Sequence, residues 1–232
     1  NTEDQIGCSK RIASQATQTQ LLPVSSPYKF LHDRMRQAAY ESLSESECQQ
    51  THLSIARLLL KAKVFSAKVS EAKVYGKQVH NDFMIVDHFN KALDLLENED
   101  EKHQVAHLNQ QAAEQALHSS VWSAAADYAR IGMELLPPQP WKNNSDLCRL
   151  LYRSRAESEY LSGQPEITEK LYEELLAHTT DKLDKAEICA QRIVHHIGLA
   201  EYEKGLDVGF KGLAYLELHI PREESNLTSF LS

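Results

Sequence analysis

Glycine and proline are scarce in this chain, at 8 and 7 among 232 residues. Both punctuate helices and populate turns, so their scarcity argues against a loop-rich or all-β fold and favours long helices. Cysteine is sparse too. Cys8, Cys48, Cys148 and Cys189 lie far apart with no Cys-x-x-Cys pair, which suggests neither a zinc ribbon nor a disulfide framework. A reduced, cytoplasmic compartment fits that usage. Positive charge is outnumbered, 25 Lys and Arg against 33 Asp and Glu, for a net charge of -8. Such a chain is a poor general ligand for phosphate backbones, so nucleic acid is not an expected partner. No apolar run approaches the roughly 18 residues of a membrane span, and no charged-then-apolar leader opens the sequence. No membrane partner is expected, and the sequons Asn143-Asn144-Ser145 and Asn226-Leu227-Thr228 are read as chance matches. The chain starts at Asn1 rather than Met, as a piece cut from something longer would.

Chemical motifs are equally thin. There is no Gly-x-x-x-x-Gly-Lys-Ser/Thr loop, no Gly-x-Gly-x-x-Gly turn and no Gly-x-Ser-x-Gly elbow, so no catalysis and no cofactor are expected within this stretch. His103 and His107 stand four apart on a predicted helix, which would place two imidazoles on one face as half of a metal site. The intervening Gln-Val-Ala lacks the glutamate that a zinc hydrolase uses as general base. No metal ligand is assigned, and a metal-dependent enzyme centred on these histidines is kept as a rival. His195 and His196 are adjacent on a helix and so point apart, as packing or surface residues would. Asp94, Glu97, Glu99, Asp100 and Glu101 lack the glycine and alternating oxygen ligands of a calcium loop, and read as a solvated helix end. Trp141, after three prolines, reads as a plug between helices.

What is present is helical periodicity. Residues 1 to 27 are rich in Ser, Thr and Gln and form a loose lead-in. Met35, Ala38 and Ala39 fall at helical spacing, and Ser44 with Glu47 supplies a capping box for a second helix running to about Lys63. From Lys61 to Lys77 five lysines face one glutamate, Glu71, read as a solvated connector. Beyond His80, helices are predicted over about 82 to 96, 100 to 118, 120 to 136, 146 to 162, 165 to 178, 182 to 199 and 201 to 218. Pairs recur every 35 to 45 residues or so, the spacing of tetratricopeptide-like arrays. The stretches "WSAAADYARIGMELL", "TEKLYEELLAHT" and "YEKGLDVGFKGLAYLEL" resemble one another. Ala124, Ala125, Ala126 and Ala129 would let neighbouring helices approach closely. One such helix cannot hide its apolar face alone, so stacking supplies the stability. The strict tetratricopeptide pattern is only partly met.

The stretch "YKFLHDRMRQAAYESLSESECQQTHLSIARLLL" resembles the closing part of the winged-helix module of signal-transduction ATPases with numerous domains. The resemblance rests on Tyr28, Phe30 and His32, then Ala38, Ala39 and Tyr40, then His52, Ile55 and Ala56. "HLNQQAAEQALHSSVWSAAADYARIGMELLP", Trp141, "RAESEYLSGQ" and the final Leu-x-x-His-Ile-Pro are similar to the helical region of hybrid proteins joining a serine/threonine-kinase-like domain, such an ATPase and a sensor histidine kinase. The similarity spans residues 20 to 221 or so. It implies a stretch between the nucleotide-binding domain and the sensory and kinase parts, with ATP or ADP bound by that neighbour. Phe30-Leu31-His32-Asp33 is similar to the Met-His-Asp motif of switch ATPases, which implies an ADP-sensing role for His32, with Asp33 capping the next helix. Leu31 departs from that motif.

The expectation is therefore an all-α chain in three parts: residues 1–62, a partial winged-helix remnant with a short β-hairpin at about 20 to 31; residues 63–80, a connector; and residues 81–232, a right-handed superhelix of tetratricopeptide-like pairs. Its expected function is non-catalytic sensing, relay and protein interaction in a kinase-linked signalling ATPase. The expected partners are a protein or small effector on the concave face and the neighbouring ATPase domain. A free-standing adaptor, the effector-binding region of an ATPase-type transcriptional activator, and DNA binding through Lys10, Arg11, Lys29, Arg34 and Arg36 are the alternatives.

Overall fold

The structure, a computed structural model, describes residues 37–38, 40–69, 78–143 and 145–219. These residues form helices and turns with no strand among them. The helices are α1 (Glu45–Val69), α2 (Gln78–Asn90), α3 (Glu99–His118), α4 (Trp122–Glu134), α5 (Pro140–Asn143), α6 (Ser145–Leu161), α7 (Pro165–His178), α8 (Lys182–Gly198) and α9 (Tyr202–Tyr215). A single 3-10 turn, Leu93–Leu95, links α2 to α3. The hairpin expected at about 20 to 31 lies outside the described residues.

Local signals account for most helix starts. Ser44 and Glu47 form the reciprocal capping box, the Ser44 N–H donating to Glu47 Oε2 at 2.8 Å and the Glu47 N–H to Ser44 Oγ at 3.3 Å. Asn98 accepts from the N–H groups of Asp100 and Glu101 to start α3, and Asp181 accepts from Leu183 and Asp184 to start α8. Pro165 opens α7 and Pro140 opens α5, where a missing N–H costs nothing.

Three first-to-second helix turns repeat one design. The N–H groups of Val121, Gln164 and Glu201 reach back to the carbonyls of Ala116, Glu159 and His196, and the residue before each, Ser120, Gly163 and Ala200, sits at positive φ. This is the Schellman closure. Each such turn folds the second helix back on the first, giving the pairs α3–α4, α6–α7 and α8–α9. α6 then lies across both α3 and α4, and α1 packs on α2.

The core follows this stacking. Leu53 and Ala56 of α1 share a cluster with Ile85, Val86 and Phe89 of α2 and Val105, Leu108 and Ala112 of α3. Ala106 joins Leu147 and Leu151 between α3 and α6, while Ala156, Leu171, Tyr172, Leu175 and Ile188 bind α6, α7 and α8 together. Ala125 and Ala129 are wholly buried, as their size suggests. At Gly132 a methyl group would lie 2.6 Å from Leu151 Cδ2 and 3.3 Å from Asn109 Cβ, so glycine sets how closely α4 meets α6.

Three expectations are corrected. The helix expected to end at about Lys63 continues to Val69; lysine is a good helix former, and Lys63 pairs with Asp82 of α2 at 2.7 Å. The helix expected over 82–96 ends at Asn90, where Ala92, buried, has turned to φ -134. The break assigned to 137–146 contains α5, whose Trp141 stacks on His178 of α7 at 4.6 Å.

Candidate functional site

Two neighbouring features share α8. On one flank, residues from three elements form an alternating ladder of charge. Glu169 of α7 accepts from Arg192 Nη2 of α8, and its other oxygen lies 3.4 Å from His196 Nε2. His196 Nδ1 lies 2.9 Å from Glu201 Oε2, and Lys204 Nζ donates to Glu201 Oε1 at 2.6 Å. Arg192 and His196 are buried. Lys204 and His196 hold the Glu201 carboxyl below the usual carboxylate range.

His195 lies beside this ladder. Its ring stacks on Tyr160 of α6 at 3.8 Å and meets Tyr172 of α7 at a tilt, 5.5 Å away. Burial pushes its imidazole down to about 4, against the opposing charge of Glu169. Its Nδ1 and Arg192 Nε are buried and have no hydrogen-bond partner among the described residues. Tyr160, Glu169, His195, His196, Glu201 and Lys204 line a cavity of about 390 Å³ between α6, α7 and the α8–α9 hairpin.

His196 thus stands between two carboxylates, Glu169 and Glu201. A neutral imidazole has one N–H and serves one of its two carboxylates; a protonated ring serves both. The adjacent histidines, expected as packing or surface residues, are both buried, and both line the one cavity. Arg192 and His196, and likewise Glu201 and Lys204, fall at helical spacings in the sequence, while the step from His196 to Glu201 crosses the α8–α9 turn. Glu169 does not announce itself, because it reaches them only through the turn between α7 and α8.

The other flank of α8 is apolar. Ile193 and Ile197 face Leu206, Gly209, Phe210 and Leu213 of α9 across an open groove of about 470 Å³. Ile197 and Leu206 are 52% and 55% exposed.

A second polar chain ties α1 to α2. Tyr40 Oη lies 2.5 Å from His52 Nε2, and His52 Nδ1 lies 2.7 Å from His88 Nδ1. One of those two Nδ1 atoms must donate and the other accept. Burial lowers both imidazoles from the ordinary value, helped by the Lys91 charge. Tyr40 and His52, two residues of the winged-helix resemblance, are thus in direct contact.

His32 and Asp33 lie outside the described residues. His103 and His107 meet edge to face at 4.8 Å, and among the described residues no three His, Cys, Asp or Glu side chains are grouped to hold a metal ion. In the acidic run, Glu101 pairs twice with Arg57 and Glu99 with Lys102. No helix among the described residues is long and apolar enough to cross a membrane.

No protein-family model matches the chain. No solved structure matches it either. Among curated proteins, hybrid signal transduction histidine kinase G of Dictyostelium discoideum is 25% identical over 180 residues. That match covers 72% of this chain and 5% of the kinase, so the chain spans a small part of the relative it resembles, and the similarity points to a signal-transduction setting.

Proposed function

We propose that this chain is a non-catalytic sensing, relay and interaction region of a larger signalling protein linked to a histidine kinase. The observation that carries the reading is the match of 180 residues to a short stretch of a hybrid histidine kinase. In this reading the helix pairs form a tetratricopeptide-like superhelix, and residues 1–62 are what remains of a winged-helix module. An adjoining ATPase domain holds ATP or ADP, which His32 of the His32-Asp33 motif senses, with Asp33 capping the helix that follows. The array packs against that domain or takes up a protein or small effector on its concave face, and favours one state of the switch by binding it more tightly. The charged ladder between α7 and the α8–α9 hairpin suits a relay, because buried Arg192 and His196 of α8 reach carboxylates on both sides, Glu169 of α7 and Glu201 before α9.

The test is made in the protein that carries this stretch, as produced in cells. Glu169→Gln combined with Arg192→Met should change histidine autophosphorylation several-fold at constant protein level. An output unmoved by that pair, and unmoved by removal of residues 82–219, overturns the reading.

A further inference from the structure

α8 lies closely against α9 and only loosely against α7, so long side chains and stacked rings bridge the gap on that side. The space left among them is the cavity of about 390 Å³, a size that suits a small organic molecule.

Its charged lining is unequal. Glu166 and Glu169 of α7, three apart and so on one face of the helix, and Glu201 before α9 bring three carboxylates to it, against the single ammonium of Lys204. Arg192, tied to Glu169, offsets one more. Glu166 has no ion pair among the described residues. An incoming cation therefore meets carboxylate on two walls, and an incoming anion meets more like charge than opposite charge.

His195 is a second, independent feature. It is only 9% exposed, lines the cavity and makes no hydrogen bond among the described residues, although a buried polar side chain is seldom left so. Burial keeps its ring neutral at pH 7, so it repels no cation and carries one nitrogen lone pair for an N–H donor. Tyr160 and Leu199 add apolar wall. We propose that this cavity binds a small primary amine with an apolar body, its ammonium donating to carboxylates on the two walls and to the His195 imidazole, and its body lying against Tyr160 and Leu199. The three N–H donors of an ammonium match those three acceptors.

The test is a ligand-observed NMR titration of the full chain with benzylamine; it measures binding alone, so its outcome is independent of the kinase reading. Benzylamine should bind with a Kd of about 1 mM, as a good fragment of its size does. Benzyl alcohol and benzoate keep the ring and lose the positive charge, and should bind at least about tenfold more weakly. Glu166→Gln, at the exposed rim, should weaken benzylamine about fivefold at an unchanged melting temperature. Lys204→Met removes the competing cation, itself 64% exposed, and should tighten benzylamine several-fold, a change of sign that a damaged fold would not give. Glu173→Gln, exposed on the same helix and outside the cavity, should leave binding unchanged. Benzoate or benzyl alcohol bound as tightly as benzylamine overturns the proposal. So does benzylamine binding that ignores both cavity substitutions or falls equally with Glu173→Gln, and so does the absence of saturation transfer at about 10 mM benzylamine.

Discussion

The stacking of α6 on the α3–α4 hairpin can be measured through Gly132 and Leu151. Gly132→Ala gains about 1 kcal/mol of helix propensity. Its new methyl would lie 2.6 Å from Leu151 Cδ2 and 3.3 Å from Asn109 Cβ, and Leu151, wholly buried among Ala106, Leu147 and Leu136, has little room to give way. Overpacking of this kind costs about 1–3 kcal/mol, so the single change should be neutral to destabilising by about 2 kcal/mol. Leu151→Ala removes four buried carbons’ worth of contact less one, and should cost about 2–5 kcal/mol. In the double variant the Cδ2 atom is gone and the new methyl occupies part of the space it leaves. The combined cost should therefore fall about 1–2 kcal/mol below the sum, a coupling well above the roughly 0.5 kcal/mol scatter of independent sites. Urea unfolding followed by tryptophan fluorescence suits the measurement, because the two tryptophans, Trp122 and Trp141, sit in α4 and α5. Additivity within about 0.5 kcal/mol would refute close packing of α4 on α6. Gly212→Ala provides the contrast: its methyl meets Cys189 Cβ, which Cys189→Ala retains, so that second change should give no relief.

Ala200 holds a left-handed conformation at φ 59, which costs a non-glycine residue about 1–2 kcal/mol; Ala200→Gly should raise stability by up to about 1 kcal/mol in the same unfolding assay, after glycine's own entropic cost. Asn109, fully buried, exchanges two amide bonds with Asn90 and donates a third to Val105 O; Asn109→Leu strands Asn90 and should cost about 1–3 kcal/mol, whereas a cost below 0.5 kcal/mol or so would show the pair to be dispensable. His195 titrates near 4 in the fold against about 6.5 when unfolded, so the unfolded chain binds more protons between those values and the stability due to the neutral ring is lost as pH falls from about 6.5 towards 4. His195→Phe keeps the stack on Tyr160 and should flatten that part of the melting curve's pH dependence; an unchanged slope would remove His195 as its source. Burial raises the thiol of Cys148 to about 11 and that of Cys189 above its ordinary value, so at pH 8 both should resist dithionitrobenzoate until the chain unfolds, while half-buried Cys48 reacts.

Much of the fold was legible because it rests on local chemistry. The capping box of Ser44 and Glu47, the caps Asn98 and Asp181 and the prolines at 140 and 165 fix helix starts within a few residues of the chain. The small residues of α4 gave away a close approach. The misread places are those where local signals conflict with packing. Five lysines between 61 and 77 look like solvent-facing connector, yet α1 continues to Val69 because Lys61, Lys63 and Lys68 favour helix and Lys63 reaches Asp82. The turn at Ala200 carries no glycine at its left-handed position. Gly198, the nearest one, is still helical and has Tyr160 Oη against it.

The charged ladder was the hardest feature to read, and the reason is geometric. Helical spacing separates His195 from His196 by about 100°, which predicts that one of the pair faces water. Both are buried because α8 is enclosed on two sides, by Tyr160 and Tyr172 at His195 and by Glu169 and Glu201 at His196. Only the turn from α7 to α8 brings Glu169 to that position. Meanwhile Ile193 and Ile197, each one residue on from a ladder residue and so about 100° round the helix, line the apolar groove. A single helix thus carries a charged network on one flank and an apolar groove on another. Ile193 and Ile197 lie on the same helix as Arg192 and His196, so a change at the groove is expected to register at the ladder. Ile197→Asp, on the groove side of α8, should therefore quicken amide hydrogen exchange in α7; exchange in α7 that ignores this change would separate the two flanks.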